Sequence, residues 1–481
     1  MSKKAILSYA RMPECALTEL RDGLEDLGIE IRAITSHGSE APKLHRLFPQ
    51  IYHYPWASYR TAASWNEPFD PDLYERAVGP YRNEALPLVE RYGPFEGGSI
   101  EAETRLMHDF SRADHLINTI QPDLLLFAKQ PESGLEYLLY RIGKERGIRT
   151  IFSITLGGLR HLQAAGTELN QPLLDENWNP AAHVIPIGGQ QNEQAQPGPL
   201  TTEMVEKIRN ENIDYAPDYM KGKIVEKPFL ELLKALASRS INPRNLWNDL
   251  LRQQDGPVFK YNLLKSYERG ATPYDKIRWE EKNIFFPLHY QPELTTMPLG
   301  GCYVNQARAI KVLSDKTPPD TRILVKEHNS QFAYTAKGNK NYRPRHFYRW
   351  LTSIPKVQLV DRNVPAWLLV QRCDITAVIT GTAGFEAMVH GRPVFAFGTP
   401  YYLNGPNVYS IGDRDVLRDI QSTPQSCSLP FDSDDPPMAF LKRLEGIALP
   451  MSFAAGSADR TTGKQIMYKD VLVRACRNVF E

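Results

Sequence analysis

The sequence predicts an α/β protein with two Rossmann-like domains. Segments typical of strands and helices alternate over residues 4–156 and again over residues 283–398. The strand segments are short apolar runs without polar alternation, as expected for parallel strands covered on both faces. The length of 481 residues also exceeds that of most single domains.

Composition narrows the function classes. The chain has 57 Lys+Arg against 56 Asp+Glu, so no global field attracts nucleic acid, and we expect no nucleic-acid partner. No apolar run approaches the roughly 20 residues that span a bilayer, and the amino terminus does not resemble a signal peptide. The five cysteines are scattered without a CxxC pair, which favours reduced thiols in the cytoplasm and argues against a structural zinc.

The first half begins with a predicted βαβ unit, in which Gly28 ends the helix. The further pattern predicts a buried strand at residues 124–128, followed by a loop and a helix. The predicted strands of this half are 4–10, 29–35, 124–128 and 148–156, and the predicted helices are 16–27, 73–92, 100–120 and 135–146.

The middle of the chain breaks the α/β rhythm. Residues 168–199 are rich in Asn, Gln and Pro, and amphipathic segments follow at 202–210, 228–238, 246–253 and 261–269. We interpret this region as a loop plus a helical insertion without a second sheet. The predicted organisation is a first domain at 1–162, an insertion at 163–281, a second domain at 282–455, and a last helix at 456–481 that crosses back to the first domain.

The second half resumes the alternation and leads to the segment that dominates the functional argument, residues 374–398. A buried strand is followed by the small-residue turn 380–384 and then by a helix, which Gly391 is placed to end. The amides at a helix amino terminus carry partial positive charge, so this turn predicts an anion site. The predicted strands are 284–288, 322–326, 357–360, 374–379 and 394–397, and the predicted helices are 304–313, 345–351, 365–371 and the one after the turn.

Parallel strands joined by crossovers place their carboxyl ends at one edge of a sheet. The loops after three predicted strands therefore meet, and His328 is placed to share an anion with the turn. A histidine that only packs at a strand end is the alternative. The candidate donor-binding residues are His289, Gln291, Lys326, Glu327, His328, Thr380, Gly381, Thr382, Ala383, Gly384 and Glu386.

Two of these residues carry open alternatives. Glu386 is not consumed by a capping box if Thr382 is the N-cap, so it is available to sugar hydroxyls, or it only complements the helix dipole. The hydroxyls of Thr380 and Thr382 suit a phosphate, but threonine is also an ordinary strand and cap residue.

Catalytic candidates in the first half follow strand ends. Glu132 is the first choice for a general acid or base, with Glu14 in reserve and His328 acting from the second half. Lys129 and Arg160 are placed to neutralise substrate charge. For Glu132, Glu14, Lys129 and Arg160, the alternative is an ordinary solvated charge on a loop.

Several segments of the second half resemble the capsule-polysaccharide biosynthesis glycosyltransferases, a group that includes the Kdo transferases. The resemblance lies in FFPLHYQPELTT (285–296), LVKEH (324–328), KVQLVD (356–361), ITGTAGFEA (379–387) and GRPVFAFG (391–398). It covers residues 283–402, whereas the first half is similar only in architecture. Asn329 departs from the pattern, because proline is usual after this histidine.

The resemblance implies a GT-B fold, with two Rossmann-like domains facing across a cleft and the sugar nucleotide held mainly by the second. It implies a contact between His328 and the donor phosphate, with no metal and no cofactor, the CMP- or UDP-linked sugar being a substrate. The implied acceptor is an oligosaccharide or a glycolipid. The resemblance also implies a location at the inner membrane face, with other polysaccharide-assembly proteins as partners. Two rivals stay open: a sugar-nucleotide epimerase or hydrolase, and a non-catalytic assembly protein.

Overall fold

The protein divides into two compact α/β units. Unit 1 consists of Met1–Glu203, Met297–Gly301 and Met438–Glu481, and unit 2 of Met204–Thr296 and Cys302–Pro437. The predicted α/β class with two Rossmann-like units is confirmed. The computed structural model describes residues 2–8, 12–36, 38–55, 66–90, 98–157, 159, 162–175, 177–188, 198–210, 257–291, 296–333, 342–411, 434–450 and 460–480.

Unit 1 is built on an eight-stranded sheet whose centre is parallel. Its path runs β15-β6-β5-β4-β1-β2-β3, with β7 paired to β6. The pairs from β3 to β5 are parallel, and β6 joins its neighbours antiparallel. The strands are β1 (Lys3–Ser8), β2 (Ile29–Ser36), β3 (Tyr52–Pro55), β4 (Leu124–Phe127), β5 (Arg149–Thr155), β6 (Leu162–Gly166), β7 (Val184–Ile185) and β15 (Leu449–Pro450).

Helices of unit 1 bury apolar stripes against this sheet. The last helix packs against the first, and its Leu472 and Cys476 lie in one core cluster with Leu17 and Leu20. The helices are α1 (Glu14–Glu25), α2 (Ala41–Leu47), α3 (Pro71–Ala77), α4 (Arg82–Glu90), α5 (Gly98–Ile120), α6 (Gly134–Glu145), α7 (Pro199–Asn210, which continues into unit 2), α13 (Pro436–Ile447) and α14 (Arg460–Phe480).

Unit 2 is built on a seven-stranded parallel sheet in the order β14-β13-β12-β9-β10-β11-β8. Strand β12 is buried along its whole length, and β10 is buried except at Arg322, as the apolar runs predict. The strands are β8 (Ala271–Thr272), β9 (Lys282–Pro287), β10 (Thr321–Lys326), β11 (Val357–Val360), β12 (Ile375–Val378), β13 (Val394–Ala396) and β14 (Val408–Ser410).

The helices of unit 2 are α8 (Pro257–Gly270), α9 (Gln306–Lys316), α10 (Phe347–Ser353), α11 (Ala366–Arg372) and α12 (Thr382–Val389). The end of α12 follows the expectation for Gly391, which adopts φ +70. The amide of Gly391 donates to Met388 O at 2.9 Å and that of Arg392 to Ala387 O at 2.8 Å. These two bonds form a Schellman motif, which only a residue tolerant of positive φ closes without strain.

The interpretation of residues 163–281 as loop and helix needs a correction. Residues 163–166 belong to β6, and β7 pairs beside them, so this part extends the first sheet. The segment LQAAG carries no β-branched residue and gives no strand pattern, and its pairing with β5 overrides local propensity. The predicted helices at 228–238 and 246–253 lie outside the described residues, as do Arg160 and residues 292–295.

No helix in the described part of the chain is long and apolar enough to cross a membrane.

Candidate functional site

Three predicted loops meet at the carboxyl edge of the unit 2 sheet. Strand β9 lies between β12 and β10, all three run parallel, and their carboxyl ends therefore lie side by side. His289 follows β9, Glu327 and His328 follow β10, and Thr380 follows β12. The site is built from these loops and from the start of α12.

His289 lies directly against the turn before α12. Its ring Nε2 lies 3.4 Å from the backbone amide nitrogen of Thr380, which donates to it. A Cβ added to Gly381 would lie 2.9 Å from the His289 ring, so the glycine leaves room for the imidazole. The ring is buried. His289 is thus the histidine that the structure shows in contact with this turn.

The backbone of His289 is fixed from two sides. Gln306, at the start of α9, accepts from the His289 amide at 2.8 Å and donates to its carbonyl at 3.1 Å. Arg343 Nη2 donates to the same carbonyl at 3.0 Å. Neither Gln306 nor Arg343 is among the residues predicted from sequence.

The start of α12 differs from the expected cap. The N-cap is Gly381 rather than Thr382, and it has no side-chain cap bond. Glu386 is therefore the fifth residue of the helix and lies outside the first turn, where a carboxylate complements the helix dipole best. The Gly384 amide donates to Gly381 O at 3.1 Å. The amides of Thr382 and Ala383 come before the first intrahelical bond, which is the arrangement that suits an anion.

Gly384 lies in a closely packed part of the turn. A Cβ at this position would lie 2.8 Å from Val378 Cγ2 and would also meet the hydroxyl of Tyr402. That hydroxyl donates to the carbonyl of Gly381. The glycine therefore allows α12 to approach β12 and Tyr402.

His328 caps the short 3-10 turn Asn329–Phe332. Its Nδ1 accepts from the Ser330 amide at 3.3 Å, so the neutral ring carries its proton on Nε2. The ring centroid lies 6.1 Å from that of Tyr290, in the loop after β9. His328 is only half buried, unlike His289, and therefore remains a candidate contact for a ligand.

Glu327 is fully buried and belongs to an internal network. Arg343 Nε donates to its Oε2 at 2.6 Å, and the Tyr348 hydroxyl donates to the same oxygen at 2.8 Å. The His328 amide donates to Oε1 at 2.9 Å. The amide of Glu327 itself donates to the Tyr267 hydroxyl at 3.1 Å. This corrects the expectation that Glu327 binds the donor, because its carboxylate is engaged inside the protein.

Burial and the Glu327–Arg343 ion pair shift the pKa values of Tyr348 and Arg343. Burial raises the pKa of Tyr348 well above its usual value, and the neighbouring Glu327 carboxylate adds to the effect. Burial lowers the pKa of the Arg343 guanidinium, but the Glu327 carboxylate and Tyr348 together raise it by more, so the net shift is upward. The guanidinium therefore stays charged, and its bonds to Glu327 and to the His289 carbonyl link the loops after β9 and β10.

Two other predicted residues are also buried. The Gln291 amide donates to Gln331 Oε1 at 2.8 Å, and Gln331 Nε2 donates back to the Gln291 carbonyl at 2.9 Å. The side chain of Gln291 donates to Thr296 Oγ1 at 2.7 Å. Lys326, the last residue of β10, is buried as well. The bonds between Gln291 and Gln331 thus tie the loop after β9 to the turn after β10.

In unit 1, Glu132 forms an ion pair with Lys129 and is largely buried. Glu14 opens α1, is about half exposed, and pairs with Arg46. Glu136 was not predicted, although it is buried and accepts from the Ser8 hydroxyl at 2.8 Å. Its sequence signal is the capping box that it forms with Ser133.

A second unpredicted feature is a polar face on α5. Arg105, His108, Asp109 and Arg112 follow the spacing i, i+3, i+4, i+7, which places them on one side of the helix. Asp109 lies 3.0 Å from Arg105 Nε and 3.3 Å from His108 Nδ1. Arg112 donates to the Tyr54 hydroxyl and to the Pro55 carbonyl, both at 3.0 Å. Among the described residues, no group of three or more His, Cys, Asp and Glu is arranged to hold a metal ion.

The comparisons with solved structures give distant likenesses. The Kdo 2,7 transferase KpsC from Thermosulfurimonas dismutans is 12% identical over 88% of this chain and 94% of that chain, with a TM-score of 0.31. The UDP-GlcNAc 2-epimerase from Neisseria meningitidis, bound to UDP-GlcNAc, is 13% identical over 98% and 99%, with a TM-score of 0.24. A glycosyltransferase from Rickettsia africae is 11% identical over 99% and 97%, also at 0.24. Likenesses at this level do not establish a shared function.

Among curated proteins no relative matches. The family comparison is more specific, because residues 300–407 match the model of the capsule polysaccharide biosynthesis proteins. This segment holds β10, β12 and α12, together with Glu327, His328 and the turn at residues 380–384. The resemblance to the capsule polysaccharide biosynthesis family is thus confirmed over residues 300–407.

Proposed function

We propose that this protein is a glycosyltransferase that moves a sugar from a nucleotide-sugar donor to a bacterial surface polysaccharide or glycolipid. The observation that carries the proposal is a coincidence of two features. The segment matching the capsule polysaccharide biosynthesis family is the one that supplies a half-buried histidine and an uncapped helix start at one sheet edge.

In this proposal unit 2 binds the nucleotide phosphate. The amides of Thr382 and Ala383 and the Nε2–H of His328 are the donors for its oxygens. His289 has a different part, because its ring is buried against the turn and holds the amide of Thr380 in place. The Glu327–Arg343 pair holds the two loops that carry the histidines.

The chemistry is departure of the nucleotide phosphate as positive charge develops at the anomeric carbon of the sugar. Donors fixed before the reaction stabilise the negative charge that builds on the leaving phosphate, at no cost of reorganisation. Such donors suffice without a metal ion in this proposal. The proposed donor is a CMP- or UDP-linked sugar. Asn329 occupies the position after His328 at which the resembling family usually has proline, and the histidine itself is kept.

Glu132 is the proposed acid or base for the acceptor hydroxyl. It follows β4, so it lies at the carboxyl edge of the unit 1 sheet, where it forms an ion pair with Lys129. Replacing it with Gln keeps its shape and removes its proton transfer, so turnover should fall by about 10²–10⁴-fold. Glu14→Gln is compared with it, because Glu14 is the reserve candidate. Near-normal turnover in both the Glu132→Gln and the Glu14→Gln variants would refute a catalytic role for either carboxylate.

The proposal is tested by titrating the full chain with CMP, UDP, GDP and CDP in a calorimeter. We expect saturable binding of one of these nucleotides, without added metal. The sugar nucleotide of the base that binds is then incubated with and without an oligosaccharide acceptor. Release of nucleotide that needs the acceptor supports transfer, whereas epimerised or hydrolysed donor in its absence supports the rival enzymes. Absence of binding to all four would contradict the proposal.

A further inference from the structure

Positive charge is segregated in one part of this otherwise balanced chain. Residues 328–360 contain no Asp and no Glu, although the whole chain has nearly equal numbers of acids and bases. The same 33 residues contain six Lys and Arg residues, namely Lys337, Lys340, Arg343, Arg345, Arg349 and Lys356. One of them, Arg343, is neutralised inside the protein by Glu327. The remainder leave this stretch strongly basic.

Helix α10 divides these residues between two faces. Its inner face carries Phe347, Tyr348 and Leu351, which are buried in the core of unit 2. Four exposed residues alternate between basic and aromatic character, namely Arg345 and His346 just before α10, and Arg349 and Trp350 in its first turn. Trp350 is 56% exposed, which is unusual for an indole.

The neighbouring helix adds to the positive charge. The end of α8 packs beside α10, where a Cβ on Gly270 would lie 3.8 Å from Thr352 Cγ2. Arg269, next to this glycine, is exposed. The single acid of α8, Glu268, is bound by Lys265 at 2.8 Å and by Arg362 at 3.2 Å. We define the Trp350 surface as Arg269, Arg345, His346, Arg349 and Trp350.

We propose that the Trp350 surface docks unit 2 onto an anionic membrane. An indole prefers the depth of the lipid headgroups, where its ring is in apolar surroundings and its N–H is hydrated. Arginines beside it attract anionic headgroups, each contributing to binding near the surface. Single-stranded nucleic acid fits less well, because it is bound in grooves with rows of stacking aromatics, whereas this surface offers the indole of Trp350 and one imidazole, that of His346, beside a short helix.

This inference does not rest on the proposed transfer reaction. The surface is formed by the end of α8, the start of α10 and the two residues before α10, and none of its five residues is among those proposed to bind donor. A negative result for nucleotide binding would therefore leave the membrane proposal untouched, and a negative result for membrane binding would leave the proposed function untouched. The full chain is mixed with vesicles of phosphatidylcholine alone, or with about a third phosphatidylglycerol, and the bound fraction is measured by sedimentation.

We expect binding to the anionic vesicles, weak binding to the neutral ones, and release at about 1 M salt, where the Debye length is roughly 3 Å. The double variant Arg345→Gln/Arg349→Gln should weaken partitioning by roughly 30-fold. Trp350→Ala should weaken it by about tenfold. All three side chains are exposed, so melting temperatures should stay unchanged.

The matched control is Arg32→Gln/Arg76→Gln, which removes the same charge from exposed sites on unit 1 and should bind as the wild type does. Equal binding by the Arg345/Arg349 variant and the wild type would overturn the proposal. So would absence of binding to the anionic vesicles. Equally strong binding to a single-stranded oligonucleotide, lost in Trp350→Ala, would point to nucleic acid instead and would also overturn it.

Discussion

The carboxylate of Glu327 and the guanidinium of Arg343 form a buried ion pair at the carboxyl end of β10, with Nε and Oε2 2.6 Å apart. Arg343 also donates to the His289 carbonyl, and Glu327 accepts from the His328 amide. One ion pair therefore sets the position of both histidine loops.

Replacing Glu327 with Gln should destabilise unit 2 by about 3–5 kcal/mol, because it leaves the buried charge of Arg343 without compensation. Arg343→Met removes the opposite partner. The double variant Glu327→Gln/Arg343→Met should lose less stability than the two single losses added together, since it leaves no unpaired charge. Urea unfolding of all four proteins measures this coupling, and additive losses would contradict the role given to the pair.

A second prediction concerns the contact between Gly381 and His289. Gly381→Ala places a methyl group 2.9 Å from the imidazole ring and should cost roughly 1–3 kcal/mol by overpacking. In a His289→Ala background the methyl has space, so the same substitution should then cost little. Unfolding free energies of the four proteins give the coupling energy. An equal cost of Gly381→Ala in both backgrounds would show that the ring and the turn are not in contact.

The third prediction concerns pH. Glu84 in α4 is buried, and burial raises the pKa of its carboxyl group, while Tyr137 and Asn170 donate to Oε2. The folded protein thus holds the proton more tightly than the unfolded chain. The stability that protonated Glu84 contributes is therefore complete below the pKa that Glu84 has in the unfolded chain. It is lost as the pH rises through the higher pKa of Glu84 in the folded protein.

Glu84→Gln keeps a carbonyl oxygen for both donors and removes the charge. Its melting temperature relative to the wild type should therefore rise as the pH is raised above about 4.5. Glu25→Gln, an exposed change on α1, is the control. A difference that stays constant with pH for Glu84→Gln would rule out the raised pKa.

The features that sequence predicted correctly share a local origin. The buried strands β10 and β12 follow from apolar runs, and the end of α12 follows from Gly391. Parallel topology then brings His289, His328 and the turn to one edge without knowledge of any contact.

The features that it missed depend on contacts between distant residues. Glu327 looked like a ligand because the sequence does not show that Arg343, sixteen positions later, turns back to it. The packing of Gly384 against Tyr402 was likewise invisible in the sequence. The strand at β6 forms because β5 offers it an edge, which no local pattern of small residues reveals.

The central claim is that His328 binds the donor phosphate, and one substitution separates this role from its structural one. His328→Asn keeps a side-chain acceptor for the amide of Ser330, so the capped turn should survive, but it removes the Nε2–H donor. Asn329→Ala, at the neighbouring position, is the control.

The decisive measurement is the affinity of the full chain for the nucleotide that binds the wild type, with the melting temperature measured alongside. We expect His328→Asn to weaken binding by about tenfold or more, as for loss of a hydrogen bond to a charged group. Its melting temperature should stay close to that of the wild type, and Asn329→Ala should bind normally. Unchanged affinity in a folded His328→Asn protein would contradict the account.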